Sequence, residues 1–200
     1  NVCITHFMHL TPKAGDIEHL YGGKTYYMDE EYLNNTLDKV LLEATKKRNI
    51  SVAAIILIDP ASRSVDTGIG ELLQHPDYSE GTYTMPNMTT LDCYAAALDF
   101  LARRYCRSDN RYGRISHWIM HNEVDGGLSW TNMGVKPVTI FSDTYIKSMR
   151  MCYNIVRQYD EHAEVFASFS HSWTDISNVG WYTSKDIVDL LNTYSRVEGD

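Results

Sequence analysis

The chain has no apolar run of roughly eighteen residues, so nothing in it reads as a membrane-spanning helix. It has no basic stripe either: 18 Lys and Arg face 26 Asp and Glu, a formal net charge of −8, which argues against a nucleic-acid partner. No strand signal leads into Gly-x-Gly-x-x-Gly, so a dinucleotide-binding sheet fits poorly. Cysteine is scarce. Cys3, Cys93, Cys106 and Cys152 form no Cys-x-x-Cys pair, and three of them fall in helix signals and one in a strand. That is the pattern of buried free thiols rather than of a disulfide framework, and it leans toward a reducing compartment. Phe is outnumbered, 5 against 14 Tyr and 4 Trp, so most aromatic surface carries a polar handle. Such rings either fill half-buried positions around loops or line a cleft where they stack on sugar faces.

What is present is ordinary for one globular domain over residues 1–200, with 44% hydrophobic and 22% charged residues. Four strand signals alternate with helix signals. Asn1 to Phe7 alternates as a strand, and a polar excursion from Thr11 to Met28 follows. Asp29 then caps a helix to about Arg48, with Leu33, Leu37, Val40, Leu41 and Ala44 on one stripe. Ile50 to Ile58 is nearly all apolar and reads as a strand buried on both faces. After a long loop, Asp59 to Thr90, the spacing predicts a helix over Leu91 to Tyr105 and a strand over Ile115 to Asn122. A second long loop, Val124 to Phe141, leads to a helix capped by Ser142, with Ile146, Met149, Tyr153 and Val156 inward. Glu164 to His171 is the fourth strand, and Ser184 caps the last helix. This order argues for a parallel sheet with right-handed crossovers.

The loops after strands are long and rich in His, Trp, Asn, Asp and Tyr, whereas those after helices are short. Catalytic groups sit at the carboxyl ends of strands in barrels and in doubly wound sheets, so the sequence marks the chemical end of the sheet. Glu123 lies just past an apolar strand, beside Asn122 and two residues before Asp125. A carboxylic acid there can hold a proton for a leaving group when desolvated. The alternative is an Asn-Glu turn whose carboxylate only caps a helix. His117 and His121 are four apart, but on a strand that separates them by roughly 13 Å, and the spacing chelates zinc only on a helix. His6, His9 and Glu123 could converge in space, but no ligand spacing signals it, and no required metal or cofactor is expected. Asp59, Asp66, Asp77 and Glu80, in the first long loop, read as solvated.

The stretch Trp118-Ile119-Met120-His121-Asn122-Glu123, after the helix containing Phe100 to Tyr105 and the return Gly113-Arg114-Ile115, resembles the fourth strand of the large clan of retaining glycoside hydrolases. Tyr26-Tyr27-Met28-Asp29, the Ile50 to Ile58 strand, Asn122-Glu123-Val124-Asp125, Trp130-Thr131-Asn132-Met133-Gly134 and Ser170-His171-Ser172-Trp173 extend the likeness over the whole chain. The broader pattern is similar to a family of barrel domains of undefined function from bacterial polysaccharide-degrading systems. The resemblance implies a (β/α)8 TIM barrel, incomplete here, whose visible strands are the second to fifth. It implies that Glu123 is the acid/base and that Asn122 orients the sugar. The clan's nucleophile closes the seventh strand and has no counterpart in this chain. On the barrel reading His6, His171 and Trp173 end strands facing the same pocket and bind sugar hydroxyls, although a lone His at a strand end also serves as an ordinary satisfied polar group. Trp130 and Trp181 are candidate stacking platforms, with packing against a neighbouring helix as the alternative. The expected partner is an oligo- or polysaccharide, cleaved with retention, or bound without cleavage in a non-catalytic barrel. A flavodoxin-like sheet is the third architecture, but its phosphate-binding loop is not found. The family context implies a secreted or periplasmic protein, against the lean of the cysteines. The chain opens on Asn1, so a signal peptide would lie outside it.

Overall fold

A computed structural model describes residues 1–176 and 178–198. Its centre is a parallel four-stranded sheet of β1 (Val2–Cys3), β5 (Ala53–Leu57), β6 (His117–Met120) and β7 (Glu164–Ala167), in that spatial order. The expected α/β class and parallel pairing are therefore present, with shorter strands than the sequence suggests. At β1 the chain turns into a 3₁₀ segment, Ile4–His6, so the predicted strand to Phe7 ends early.

A second, antiparallel sheet orders β2 (Met8–His9), β4 (Lys24–Met28) and β3 (Ile17–Tyr21). The Thr11 to Met28 excursion is thus mostly a hairpin. Its turn is Gly22-Gly23, with φ of 56° and 79°, the left-handed geometry that two-residue hairpin loops need. The hairpin docks through His19, whose Nε2 lies 3.1 Å from Asp99 of the helix α4 (Leu91–Tyr105) and whose ring meets Phe100 edge-on at 5.5 Å.

The first helical run is capped by Asp29, whose side chain accepts from the Tyr32 amide at 2.8 Å. In it, α1 (Glu30–Leu33) and α2 (Lys39–Leu42) alternate with wider π turns over Asn34–Asp38 and Glu43–Lys47. These turns take more residues each and rotate the apolar stripe. Leu33 and Leu41 are buried, but Val40 of the predicted stripe is exposed. The π turn also delivers Asp38 to α4, where its carboxylate accepts from Arg104 Nε at 3.0 Å and from the Tyr105 hydroxyl at 2.8 Å.

The long loop after β5 contains α3 (Thr67–Leu73), capped by Asp66, which accepts from the Gly68 and Ile69 amides. The expected loop over Asp59 to Thr90 therefore contains a helix, masked in the sequence by Gly68 and Gly70. Gly70 is required by contact: a Cβ there would lie 2.6 Å from Ala61 Cα. After β6 come α5 (Gly127–Trp130) and α6 (Val138–Val156), and α7 (Ser184–Glu198) closes the described chain. The helix α6 starts at Val138, right after Pro137, and not at Ser142, which is buried inside it. Tyr153 points to solvent rather than inward. At α7 the cap is Thr183, whose hydroxyl accepts from the Asp186 amide at 3.1 Å, and Ser184 is turned inward to Asp125.

Register decides which side of the sheet is core. The rows Ala54–Trp118–Val165 and Ile56–Met120–Ala167 pack into the helix-covered core. The alternate rows, Ala53–His117–Glu164 and Ile55–Ile119–Phe166, face the other way, and Phe166 is 43% exposed. The expectation of β5 buried on both faces therefore fails, since its Ala53 and nearby Ile50 are exposed.

Asp38 and Arg104 are both buried side chains, so removing one strands the other. Asp38→Ala is expected to cost about 3–5 kcal/mol in urea unfolding, well above the effect of truncating an exposed acid such as Glu71.

Candidate functional site

All four parallel strands deliver their carboxyl ends to one edge. There β6 does not run on extended to Asn122 as predicted. His121 and Glu123 take φ of 59° and 39°, the left-handed region that costs a residue with a Cβ roughly 1–2 kcal/mol. The strain is held by packing on both sides. His121 is buried, with Nε2 2.9 Å from Ser148 Oγ of α6, and Ser148 in turn meets the Tyr94 hydroxyl at 2.9 Å. The Val124 amide donates to Ser168 O at 3.0 Å, beyond β7, and the Glu123 amide reaches Ser168 Oγ at 3.4 Å.

Glu123 and Asn122 are half-buried at this kink. Asn122 O accepts from the Thr131 hydroxyl at 2.9 Å, so its peptide is anchored to the following loop. Glu123 O accepts from the Gly126 amide at 2.8 Å, closing a tight turn. Gly126 is where the two expected loop indoles converge. A Cβ at Gly126 would lie 2.8 Å from Trp130 Cδ1 and 3.4 Å from Trp181 Cζ2. Trp181 also donates its indole N–H to Ser129 Oγ at 3.3 Å. Both rings are half-buried, packed beside the Glu123 turn yet partly open to solvent.

Asp125 is fully buried. Its carboxylate accepts from the Ser170 amide at 2.8 Å, the Ser170 hydroxyl at 2.6 Å and the Ser184 hydroxyl at 2.8 Å. It ties the β6 exit to the β7 exit and to the start of α7, and it is fully used there. Sequence reasoning placed Asp125 only as a neighbour of Glu123; a Ser-rich segment after the next strand is the one sequence signal for its clamp.

The other expected site residues divide. His171 and Trp173 lie beyond β7 on the same edge, both exposed, Trp173 at 55%. His6 ends the 3₁₀ turn after β1 and is taken up by Asp59, with Nε2 2.7 Å from Oδ2. Asp59 is accordingly buried rather than solvated, because the register that pairs Cys3 with Leu57 brings it under the His6 turn. Cys3, His6 and Asp59 place their ligand atoms within 4.8 Å of one another, a grouping the sequence reading did not anticipate.

The rim is built by the two long loops, which are not free. Asn132 is buried and its side-chain amide donates to Glu80 O at 2.6 Å and Leu128 O at 2.9 Å, while the Thr82 amide donates to Ser129 O at 2.7 Å. Gly81, at φ 100°, lets the loops meet: a Cβ there would lie 2.2 Å from Leu128 O.

Fold and edge together define an α/β protein with a strained, polar carboxyl edge roofed by two tied loops. The chain belongs to a family of unknown function, DUF5722, whose profile matches residues 1–200. No curated protein and no solved structure matches it. Among the described residues, no helix is long and apolar enough to cross a membrane.

Two measurements follow from the edge. Burial pushes the His121 ring down from 6.5 to about 4, partly offset by the Ile56 backbone. The fold then binds fewer protons than the unfolded chain between those values, so stability is full above pH 6.5 and falls as pH drops toward 4. The expected loss is on the order of 3 kcal/mol, and His121→Gln should flatten this slope in unfolding titrations across pH. Asp125→Ala should cost about 2–4 kcal/mol by removing the acceptor of the Ser170 amide and hydroxyl and of the Ser184 hydroxyl. In that variant, amide exchange should speed up over residues 168–172 before it does so in α4.

Proposed function

We propose that this chain carries the acid/base half of a retaining glycoside hydrolase built as a (β/α)8 barrel. The observation that carries the reading is positional. Glu123 sits at the carboxyl end of the third of four parallel strands that follow one another in space in chain order. Consecutive barrel strands are arranged in this way, whereas a doubly wound sheet such as the flavodoxin type reverses its strand order at a switch point. The apolar row Ile55–Ile119–Phe166 supports the same reading, because a parallel sheet is normally covered on both faces and closing a barrel would bury this row.

On this reading Glu123 protonates the leaving glycosidic oxygen and then takes a proton from the attacking water. Asn122, anchored by Thr131, orients the sugar hydroxyl beside the reacting carbon. Trp130 and Trp181 offer half-open ring faces next to Glu123, and His171 and Trp173 offer an exposed polar and aromatic strip from β7. The mechanism needs a second carboxylate about 5–5.5 Å from the first. Asp125, held by Ser170 and Ser184, does not supply it, so the reading requires a nucleophile on another barrel strand. The substrate is an oligo- or polysaccharide, and the reading places the protein outside the cytoplasm.

The test is glycoside turnover by the full-length protein and by Glu123→Gln, with circular dichroism as the folding control. Turnover of substrates with poor leaving groups should fall by about 10²–10⁴-fold in the variant, and much less for an activated aryl glycoside whose leaving group needs no proton. Equal turnover by variant and wild type removes Glu123 from the chemistry. Tight polysaccharide binding by a wild type that cleaves nothing identifies a binding barrel instead.

A further inference from the structure

At the β1–β5 side of the carboxyl edge, three side chains with metal-binding chemistry meet without a role in the reaction above. Cys3 is the last residue of β1 and His6 ends the 3₁₀ turn Ile4–His6 that follows it. A 3₁₀ turn has three residues, so residues three apart stack on one side, which brings the thiol and the imidazole together. Asp59 comes from the neighbouring strand: Cys3 pairs with Leu57, and Asp59 lies two residues on. Sγ, a ring nitrogen and a carboxylate oxygen all lie within 4.8 Å of one another, with His6 Nε2 and Asp59 Oδ2 at 2.7 Å.

We propose that Cys3, His6 and Asp59 form a three-ligand site for a borderline divalent transition-metal ion, zinc foremost, with its fourth position open to solvent or to a small ligand. Four-coordinate zinc with bonds of about 2.0–2.3 Å holds its ligand atoms roughly 3.5 Å apart. The cluster reaches that spacing by side-chain adjustments of about an ångström. A thiolate with an imidazole and a single carboxylate selects zinc-like ions over calcium and magnesium, which prefer all-oxygen cages.

Each of the three is also oriented from behind, as metal ligands generally are. The Tyr32 hydroxyl lies 3.4 Å from His6 Nδ1, which leaves Nε2 as the ligating nitrogen. The Thr5 hydroxyl lies 3.3 Å from Cys3 Sγ and accepts from the Asp59 amide at 3.1 Å. Arg63 Nη2 stands 3.4 Å from Asp59 Oδ1, on the oxygen that His6 does not face. Access is from one side, because the His6 side chain is 39% exposed while Cys3 and Asp59 are buried. Binding releases the thiol proton to solvent: the S–H bond breaks and a metal–sulfur bond forms, with no change in oxidation state. The site goes beyond the hydrolase reading and does not depend on it.

The experiment is a titration of the reduced, metal-stripped protein with Co²⁺ under anaerobic conditions. One equivalent should give a thiolate-to-cobalt charge-transfer band with the intense visible bands of a four-coordinate ion, and Zn²⁺ should displace it one for one. Cys3→Ser should abolish the charge-transfer band. Substituting the buried Cys3 risks the fold, so His6→Ala, at a half-exposed position, is the second variant. Its Co²⁺ affinity should fall by at least about 100-fold, the upper end of what losing an outer-shell partner costs. Absence of the band in the wild type, its persistence in Cys3→Ser, or unchanged affinity in His6→Ala overturns the site. The assay reads metal alone, so its failure leaves the role of Glu123 untouched, and an inactive Glu123 leaves this result standing.

Discussion

A carboxylate taken wholly out of water must be given its hydrogen bonds by the chain, and Asp125 is the case on which the carboxyl edge of the sheet depends. Its three donors come from Ser170 and Ser184, which are far from it in sequence. Meeting that demand fixes where the β7 exit and the start of α7 stand relative to the β6 exit. The backbone of Asp125 adds to this by accepting from the Tyr182 amide at 2.8 Å. The turn carrying Asn122 and Glu123 is thereby gripped from its downstream side, while His121, held against Ser148 of α6, grips it upstream. Two left-handed residues with side chains survive between these grips because neither end can relax into extended geometry.

The strain has a geometric consequence. An extended strand alternates its side chains between faces, so a β6 that continued straight would send successive residues alternately into the core and away from it. The kink breaks that alternation. His121 goes into the apolar interior, at the cost of a neutral ring, and Asn122 and Glu123 are left half-buried at the rim. The adjoining roof is assembled in the same manner. Asn132 and Gly81 bind the two long loops to each other rather than to the sheet, so Trp130 beside the Glu123 turn stands on a tied platform, to which Trp181 donates through Ser129.

Much of this architecture is legible in the residues. The helix α4 runs over Leu91–Tyr105 as its periodicity predicts, the four parallel strands fall where the apolar runs lie, and the cysteines are free and buried. The rest is hidden for identifiable reasons. Gly68 and Gly70 mask α3, because glycine signals a loop until one sees Ala61 pressed against it. The π turns shift the stripe of the first helical run, so Val40 faces solvent. Gly22-Gly23 is a hairpin signal that polar flanks obscure. Of the site, the placement of Asn122 and Glu123 past an apolar strand is visible in one dimension. The clamp on Asp125 and the meeting of Cys3, His6 and Asp59 are not, because they depend on strand register and on a 3₁₀ turn that no pattern in the sequence announces.

The two proposed centres share one edge, and their charges have to be compatible. The strand β5 separates β1 from β6, so an ion at Cys3, His6 and Asp59 would stand roughly two strand spacings, about 10 Å, from the β6 exit. A bare dication at that distance would act on a charge at the β6 exit with about 3 kcal/mol at an effective dielectric of about 20. A ligand set of neutral imidazoles would leave that field in place. The set found here does not, because a thiolate and a carboxylate each bring one negative charge and cancel the two positive charges of the ion. An ion bound by the three proposed ligands would thus leave the corner close to neutral as seen from the β6 exit.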